Sequence, residues 1–518
     1  MGIRLYVWPP DAAAELTAMA RALVVVVGGA PPVVREQLEL RARELLGDLA
    51  DKAPDLVSAV LADAGLVEVG DLVEAGGGFG DSVDFARWQE VDCRNAIDLT
   101  VAPYGAEFST IGAALAAARP GDRIIIGPGI YGEAPAIDIA VHLVGDGDRS
   151  EIVLEPSGGA FVMIGATGAT IEGLTIRTGI DVYAGQPSII DCDVTASPSH
   201  GVIIRDRAEP TIRGCAVHDN TTSGLFIHTG ARGELSEDEI HGNGHHGIMV
   251  DGDAAPRVLQ CRIHGNSHSG VYLSGHSTGV LTGNDIRNNG HCGVTAASQA
   301  APQLQGNEIH RNGRCGVEQS GNGSGSYVRN DVHSNDHDGF RVLGPACPQI
   351  VGNTIASNAQ FGVVVTGKSV AVVRGNRVRC NVWGGVKIER QGTFKGGDST
   401  PMLPVAVLDN EVTENGGNGI IVCDGHGSIC GNRITANAWV GVLLQGRLGL
   451  GYVRSNVIVG NAGSGVECDV SEGSGPVVEW NTIRANTKSG IDVQGTAGGC
   501  IPTQHCGSEF AARDPCSW

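Results

Sequence analysis

Aromatic side chains are scarce in this sequence, only 4% of its 518 residues. A chain of this length with so few rings does not build an ordinary packed globule. Basic charge is also short, since 36 Lys and Arg face 57 Asp and Glu for a formal net charge of −21. That balance lacks the basic face that non-specific nucleic-acid binding requires, so no nucleic-acid partner is expected. Long apolar runs are missing too. "ALVVVVGG" (Ala22 to Gly29) is too short to span a bilayer and follows Asp11 and Glu15 rather than a basic stretch. Neither a membrane partner nor a secretory signal is expected. These absences point to a cytoplasmic protein whose 14 cysteines stay as thiols.

What the chain has in excess is glycine, 78 residues, without the Gly-X-Y period of collagen. Instead, an Asn followed four residues later by Gly recurs at Asn220, 243, 266, 289, 312, 335, 358, 381, 415, 437, 461 and 486. The first seven steps are 23 residues each, the next is 34, and the last three are 22, 24 and 25. The unit reads G-N-x-I-x-x-N-x-x-x-G-V-x-V. In G-V-x-V, apolar β-formers alternate at period two, so Val271 and Leu273, Val294 and Ala296, or Val363 and Val365 face a core. Ile240, Ile263, Ile286 and Ile309 form another inward column. Asn and Gly at fixed places are expected to supply the left-handed backbone of sharp corners. Stacked Asn amides would bond along the column, with coils ~4.8 Å apart. Too much glycine and too little i, i+3, i+4 patterning exclude a helical repeat. The fold expected is an all-β right-handed parallel β-helix.

The repeat resembles the right-handed parallel β-helix family with pectate-lyase-like architecture, and within it the group proposed for carbohydrate binding and sugar hydrolysis. "FSTIGAALAAARPGDRIIIGPGIYGE" (Phe108 to Glu133) is similar to that family's capping helix, Gly-Asp turn and first strand. The resemblance covers roughly residues 99–495 and implies the fold; its motif consists of structural residues and implies no particular activity.

Residues 1–98 read instead as three helices, a small α-helical domain that either flanks the β-helix or serves partner binding and homo-oligomer formation. "EAGGGFGDS" (Glu74 to Ser82) reads as a linker. The 34-residue step holds an eleven-residue insertion, placed in Arg390 to Pro404. After Gly495 the register stops, and residues 496–518 read as a C-terminal cap.

In a solenoid, chemistry is read down columns. One column before the repeat Gly carries His245, His268, His291, Arg314, His337, Gln360, Trp383 and Trp439; another carries His218, His241, His264, His310 and His333. Stacked imidazoles converge poorly on one ion, so no metal is expected there and no cofactor overall. The outward residues of the G-V-x-V strands begin as an apolar stripe, Phe226, Met249 and Tyr272, which is expected to be covered. They continue as a charged band of Glu318, Arg341 and Lys387, adjoined by Glu389 and Arg390, with Asp336, His337 and Asp338 on the preceding turn. His291, Arg314, Glu318 and Trp383 are the expected ligand contacts.

For catalysis on a uronate, Arg341 or Lys387 would neutralise the carboxylate and His337 or Asp338 would abstract the proton. Residues 335–338, Asn-Asp-His-Asp, resemble the Asp-Pro-His-Asp motif of mannuronan epimerases, departing from it at the first two places. Hydrolysis would use a carboxylate pair such as Glu318 with Asp338 or Asp338 with Glu389.

Cys192, Cys215 and Cys261 fall on one register and read as small core residues at an inward strand position. Cys292 and Cys315 stack on adjacent coils as thiols. Cys500, His505, Cys506 and Cys516 are candidate zinc ligands in the tail, though their spacing matches no strong pattern.

The leading functional expectation is a cytoplasmic recognition scaffold binding a protein or glycan along the β-helix face; cytosolic F-box proteins with similar repeats imply that such architecture serves this role. The alternatives are a carbohydrate-active lyase, epimerase or hydrolase, or a tailoring enzyme on a peptide or small metabolite, using the 318–390 band.

Overall fold

A computed structural model describes residues 96–389, 405–424, 427–447, 451–472, 477–494 and 501–503. The expected N-terminal helices, the 390–404 insertion and the cluster of Cys500, His505, Cys506 and Cys516 lie outside the described residues. The remainder is a parallel β-solenoid. One coil shows the plan: Ser326–Val328 runs in the first sheet, Asp331–His333 in the second and Phe340–Val342 in the third. The next coil lays Gln349–Val351, Thr354–Ala356 and Phe361–Thr366 beside them, parallel and in register. Repetition builds sheets of 18, 16 and 16 strands among the described residues.

The inward columns are where the period-two pattern places them. Val271, Leu273, Val294, Ala296 and Ile240 are fully buried, as are Ile263, Ile286 and Ile309. At the N-terminal end, Thr110 caps the helix Ile111–Ala117 by accepting the Ala113 N–H. Glu133 accepts the Ile111 and Gly112 N–H groups at 2.7 and 2.9 Å, satisfying two donors that a helix start leaves unpaired. The helix packs against Asp98–Val101 and Arg123–Ile126.

The Asn column is a continuous ladder. The Asn335 amide donates to Asn358 Oδ1 at 3.0 Å and to the Ile309 carbonyl at 3.1 Å, and the Asn335 backbone N–H reaches the same oxygen at 3.1 Å. A second ladder, from Asn284 to Asn481, lines the corner between the first two sheets with the same geometry. It uses the other Asn of the repeat unit.

Two expectations need correction. At the two Asn-lined corners the left-handed residue is not the ladder Asn but the one before it: Asp219, Asn288, Arg311, Ser334 and Cys380 have φ of 52–56°, and the glycines expected to serve there, such as Gly242, Gly265 and Gly283, have φ of 63–65°. The repeat Gly is required for space. A Cβ on Gly247 would lie 2.6 Å from the Gly270 oxygen and 2.8 Å from Asn266 Nδ2. Cys192, Cys215 and Cys261 are buried, but they stand at the corner, in the column of the second ladder, where Cys261 N donates to Asn284 Oδ1. Beyond the Asn register, Ile501–Thr503 pairs with Val477–Glu479 in the first sheet.

Candidate functional site

The charged band lies on the outer face of the third sheet. Strand pairing aligns Glu318 with Arg341, Arg341 with Val364, and Val364 with Lys387. Arg341 and Lys387 therefore share one strip, two coils or roughly 10 Å apart. The turn that precedes each strand carries the remaining candidates.

Asp338 is 1% exposed. Its Oδ1 accepts the Phe361 N–H at 3.0 Å, and its Oδ2 accepts from Arg341 Nη1 at 3.2 Å. Burial raises the carboxyl above its ordinary range, while the Phe361 N–H and the Arg341 charge oppose that shift. Asp336 is exposed and His337 half-buried on the same turn. Lys387 pairs with Glu389 at 2.9 Å and sits 5.7 Å over the Phe361 ring. Phe361 meets Trp383 edge to face at 6.0 Å.

The structure thus makes two groups of the predicted residues. Glu318, Asp338 and Arg341 form one; Lys387, Glu389 and Trp383, joined by Phe361, form the other. The coil of Val364 lies between them, and its Phe361 touches both, through its N–H to Asp338 and its ring to Lys387 and Trp383. His291 and Arg314 are neighbours on the turn column, where His291 is held below the ordinary imidazole range by burial and then by Arg314.

Two residues not among the expected ligand contacts belong with this surface. Trp439 stands on the same turn column as Trp383, with Gly417 between them, and the two are 63% and 55% exposed. Its position in the column was the signal. Phe361 sits one residue before the repeat Gly, in the column that also carries Cys292, Cys315 and Asp338.

The two histidine columns differ. His218, His241 and His264 stack nearly parallel, at 4.7 and 5.1 Å with 2° and 3° between planes. His245, His268 and His291 are tilted by 46° and 51°. Glu308, His310 and His333 bring ligand atoms within 4.8 Å. Their rings still stack at 4.8 Å, and each Nε2 faces its own carboxylate, Asp285 at 3.1 Å for His310 and Glu308 at 3.2 Å for His333. The apolar stripe is partly covered by imidazoles: Phe226 lies between His200 and His228, and Tyr272 stacks on His246 at 4.6 Å.

The family-model match agrees with the architecture. No curated protein matches the sequence. Among solved structures, a periplasmic alginate epimerase is similar at 16% identity, over 58% of this chain and 73% of that one, with a TM-score of 0.38. A pectate lyase is similar at 16% identity over 59% and 80%, with a TM-score of 0.35. The A-module of a mannuronan C-5 epimerase from Azotobacter vinelandii is similar at 16% identity over 76% and 94%, with a TM-score of 0.32. At such identities and TM-scores these likenesses carry no argument about this chain. The family model described as "Right handed beta helix region" matches residues 159–332, 327–447 and 362–506. With its three-stranded coils, paired asparagine ladders and this match over most of its length, the chain belongs to the right-handed β-helix family.

Proposed function

We propose that the chain is a cytosolic recognition scaffold that holds a glycan along the turn column and outer face of its third sheet. The observation that carries this reading is the pair Trp383 and Trp439, both more than half exposed on one column with only Gly417 between them. Each coil advances ~4.8 Å, so the two indoles stand roughly 10 Å apart along the solenoid axis. Gly417, which has no side chain, leaves the space between them clear. An indole offers a flat apolar face and one N–H donor, and a pyranose ring offers a C–H face with hydroxyls at its edge. A glycan aligned with the axis would lay one ring on each indole.

The charges favour binding over turnover. Arg341 is paired with Asp338, and Lys387 with Glu389. These groups neutralise one another in pairs instead of converging on one reacting centre. One observation favours the second reading, a lyase or epimerase acting on a sugar acid: Arg341 and Lys387 lie on the same outer strip, with His337 on the turn beside Arg341.

Titration of the full chain with neutral and acidic oligosaccharides separates the two. Trp383→Ala and Trp439→Ala should each weaken binding about tenfold, or ~1.4 kcal/mol, with no product formed by the unaltered protein. Wild-type affinity in both variants would remove the scaffold reading. Product formation that disappears in Arg341→Ala and Lys387→Ala would establish the enzyme in its place.

A further inference from the structure

Cys292 and Cys315 occupy the same corner of neighbouring coils, each one residue before the repeat glycine. They are 3% and 2% exposed. Glu318 follows Cys315 by three residues, half-buried on the outer face of the strand Val317–Gln319. The two sulfurs and a Glu318 carboxylate oxygen lie within 4.8 Å of one another. The next coil shows why these positions meet. There the equivalent residues are Asp338 and Arg341, and their side chains touch at 3.2 Å. A corner residue and the strand residue three places later therefore share one space.

We propose that Cys292, Cys315 and Glu318 bind a zinc ion. Two thiolates and one carboxylate are a donor set that zinc accepts, at about 2.3 Å to sulfur and 2.0–2.2 Å to oxygen. Calcium and magnesium take oxygen ligands and do not favour thiolates. Tetrahedral zinc places its sulfur ligands about 3.8 Å apart, so rotation of the side chains closes the cluster without moving the coils. The stacked pair His310 and His333 lacks this freedom, because each Nε2 is already directed at a carboxylate.

Three protein ligands leave one tetrahedral position for water or a ligand atom, the pattern of open zinc sites and not of closed structural ones. Glu318 faces solvent next to Arg341, so that position would open toward the charged band. The inference does not depend on the glycan reading.

The test uses the full chain, purified with reductant, stripped by a chelator, and titrated with zinc against a chromophoric competitor. Cadmium substituted for zinc reports thiolate ligation by its ultraviolet charge-transfer band. The expected result is a cadmium-thiolate band and a zinc equivalent that both disappear in Cys292→Ser and in Cys315→Ser. Glu318→Gln, at a half-exposed position that leaves packing intact, should weaken zinc by about tenfold or more. Cys347→Ser, at an exposed cysteine elsewhere, should change nothing, and Cys500→Ser separates any contribution of the tail. Absence of binding would overturn the proposal. So would an unchanged zinc titration in both cysteine variants and in Glu318→Gln, or a disulfide joining Cys292 to Cys315 in freshly isolated protein.

Discussion

Asp238 occupies the second ladder column, where nine later coils place asparagine. It is 2% exposed, and its Oδ1 accepts the Cys215 N–H at 2.8 Å, as an asparagine oxygen would. An ionised carboxylate, however, has no amide hydrogen to give to the core side of the corner. Burial pushes its pKa up to about 8, against the pull of the Cys215 and Ser236 N–H groups and the Cys261 thiol. The unfolded chain ionises this group near pH ~3.9. Between that value and about 8 the folded state keeps a proton that the unfolded state has released. Stability therefore falls as pH rises through this window, and the loss is complete above it. Asp238→Asn supplies the missing donor and removes the titration. It should raise the unfolding free energy from urea titration at pH 8 by about 1–3 kcal/mol, and with it the midpoint, and change both little at pH 4. An unchanged midpoint at pH 8 would refute this account of Asp238.

Each turn between the second and third sheets is set by three residues with different tasks. The residue before the ladder Asn adopts the left-handed conformation, which costs a non-glycine residue about 1–2 kcal/mol. The ladder Asn offsets that cost with hydrogen bonds to the coils on both sides. The repeat Gly lets neighbouring turns approach to backbone contact. Gly247→Ala would force a methyl against the Gly270 carbonyl and Ile263, the latter at 2.7 Å. Because backbone and core both resist, the expected destabilisation is about 2–3 kcal/mol in denaturant unfolding. A loss below ~0.5 kcal/mol, the level of an ordinary surface change, would show that the turn relaxes. The sequence displays all three positions as columns. It displays only in part which one needs positive φ, because Gly242, Gly265 and Gly460 mark the position in three coils while Asp, Asn, Arg, Ser and Cys serve there in others.

At the scale of the whole molecule, each coil contacts only its neighbours, and stability is a sum of nearest-neighbour terms. The ladders link coil to coil alongside the sheets. Asn335 lies near the middle of its ladder, and Asn335→Leu removes its amide bonds to Asn358 and Ile309 and its acceptor for Asn312. Each orphaned buried partner costs about 1–3 kcal/mol. Coils on either side should then unfold separately, giving two transitions by circular dichroism in urea where the unaltered protein gives fewer. A single transition at the original midpoint would show that the sheets alone couple the coils.

Much of the candidate surface was visible in advance as columns. Arg341, Lys387 and Glu318 stand on one outer strip because a 23-residue period fixes which side chains align, and His337 and Trp383 fall on the turn column for the same reason. The sequence could not show that Asp338 turns inward to hold the Phe361 N–H and the Arg341 side chain. It could not show that Lys387 is claimed by Glu389, nor that Cys292, Cys315 and Glu318 share one space. Periodicity specifies the direction of a side chain only modulo the coil, whereas contact distance depends on rotamers and on corner geometry. By itself, then, the sequence determined the parallel β-helix, its register, its buried columns and one asparagine ladder, because these follow from period and residue type. Tertiary structure alone decided which charges are paired and which cysteines meet. It also decided which indoles remain exposed, because those outcomes depend on distances across coils that no linear spacing encodes.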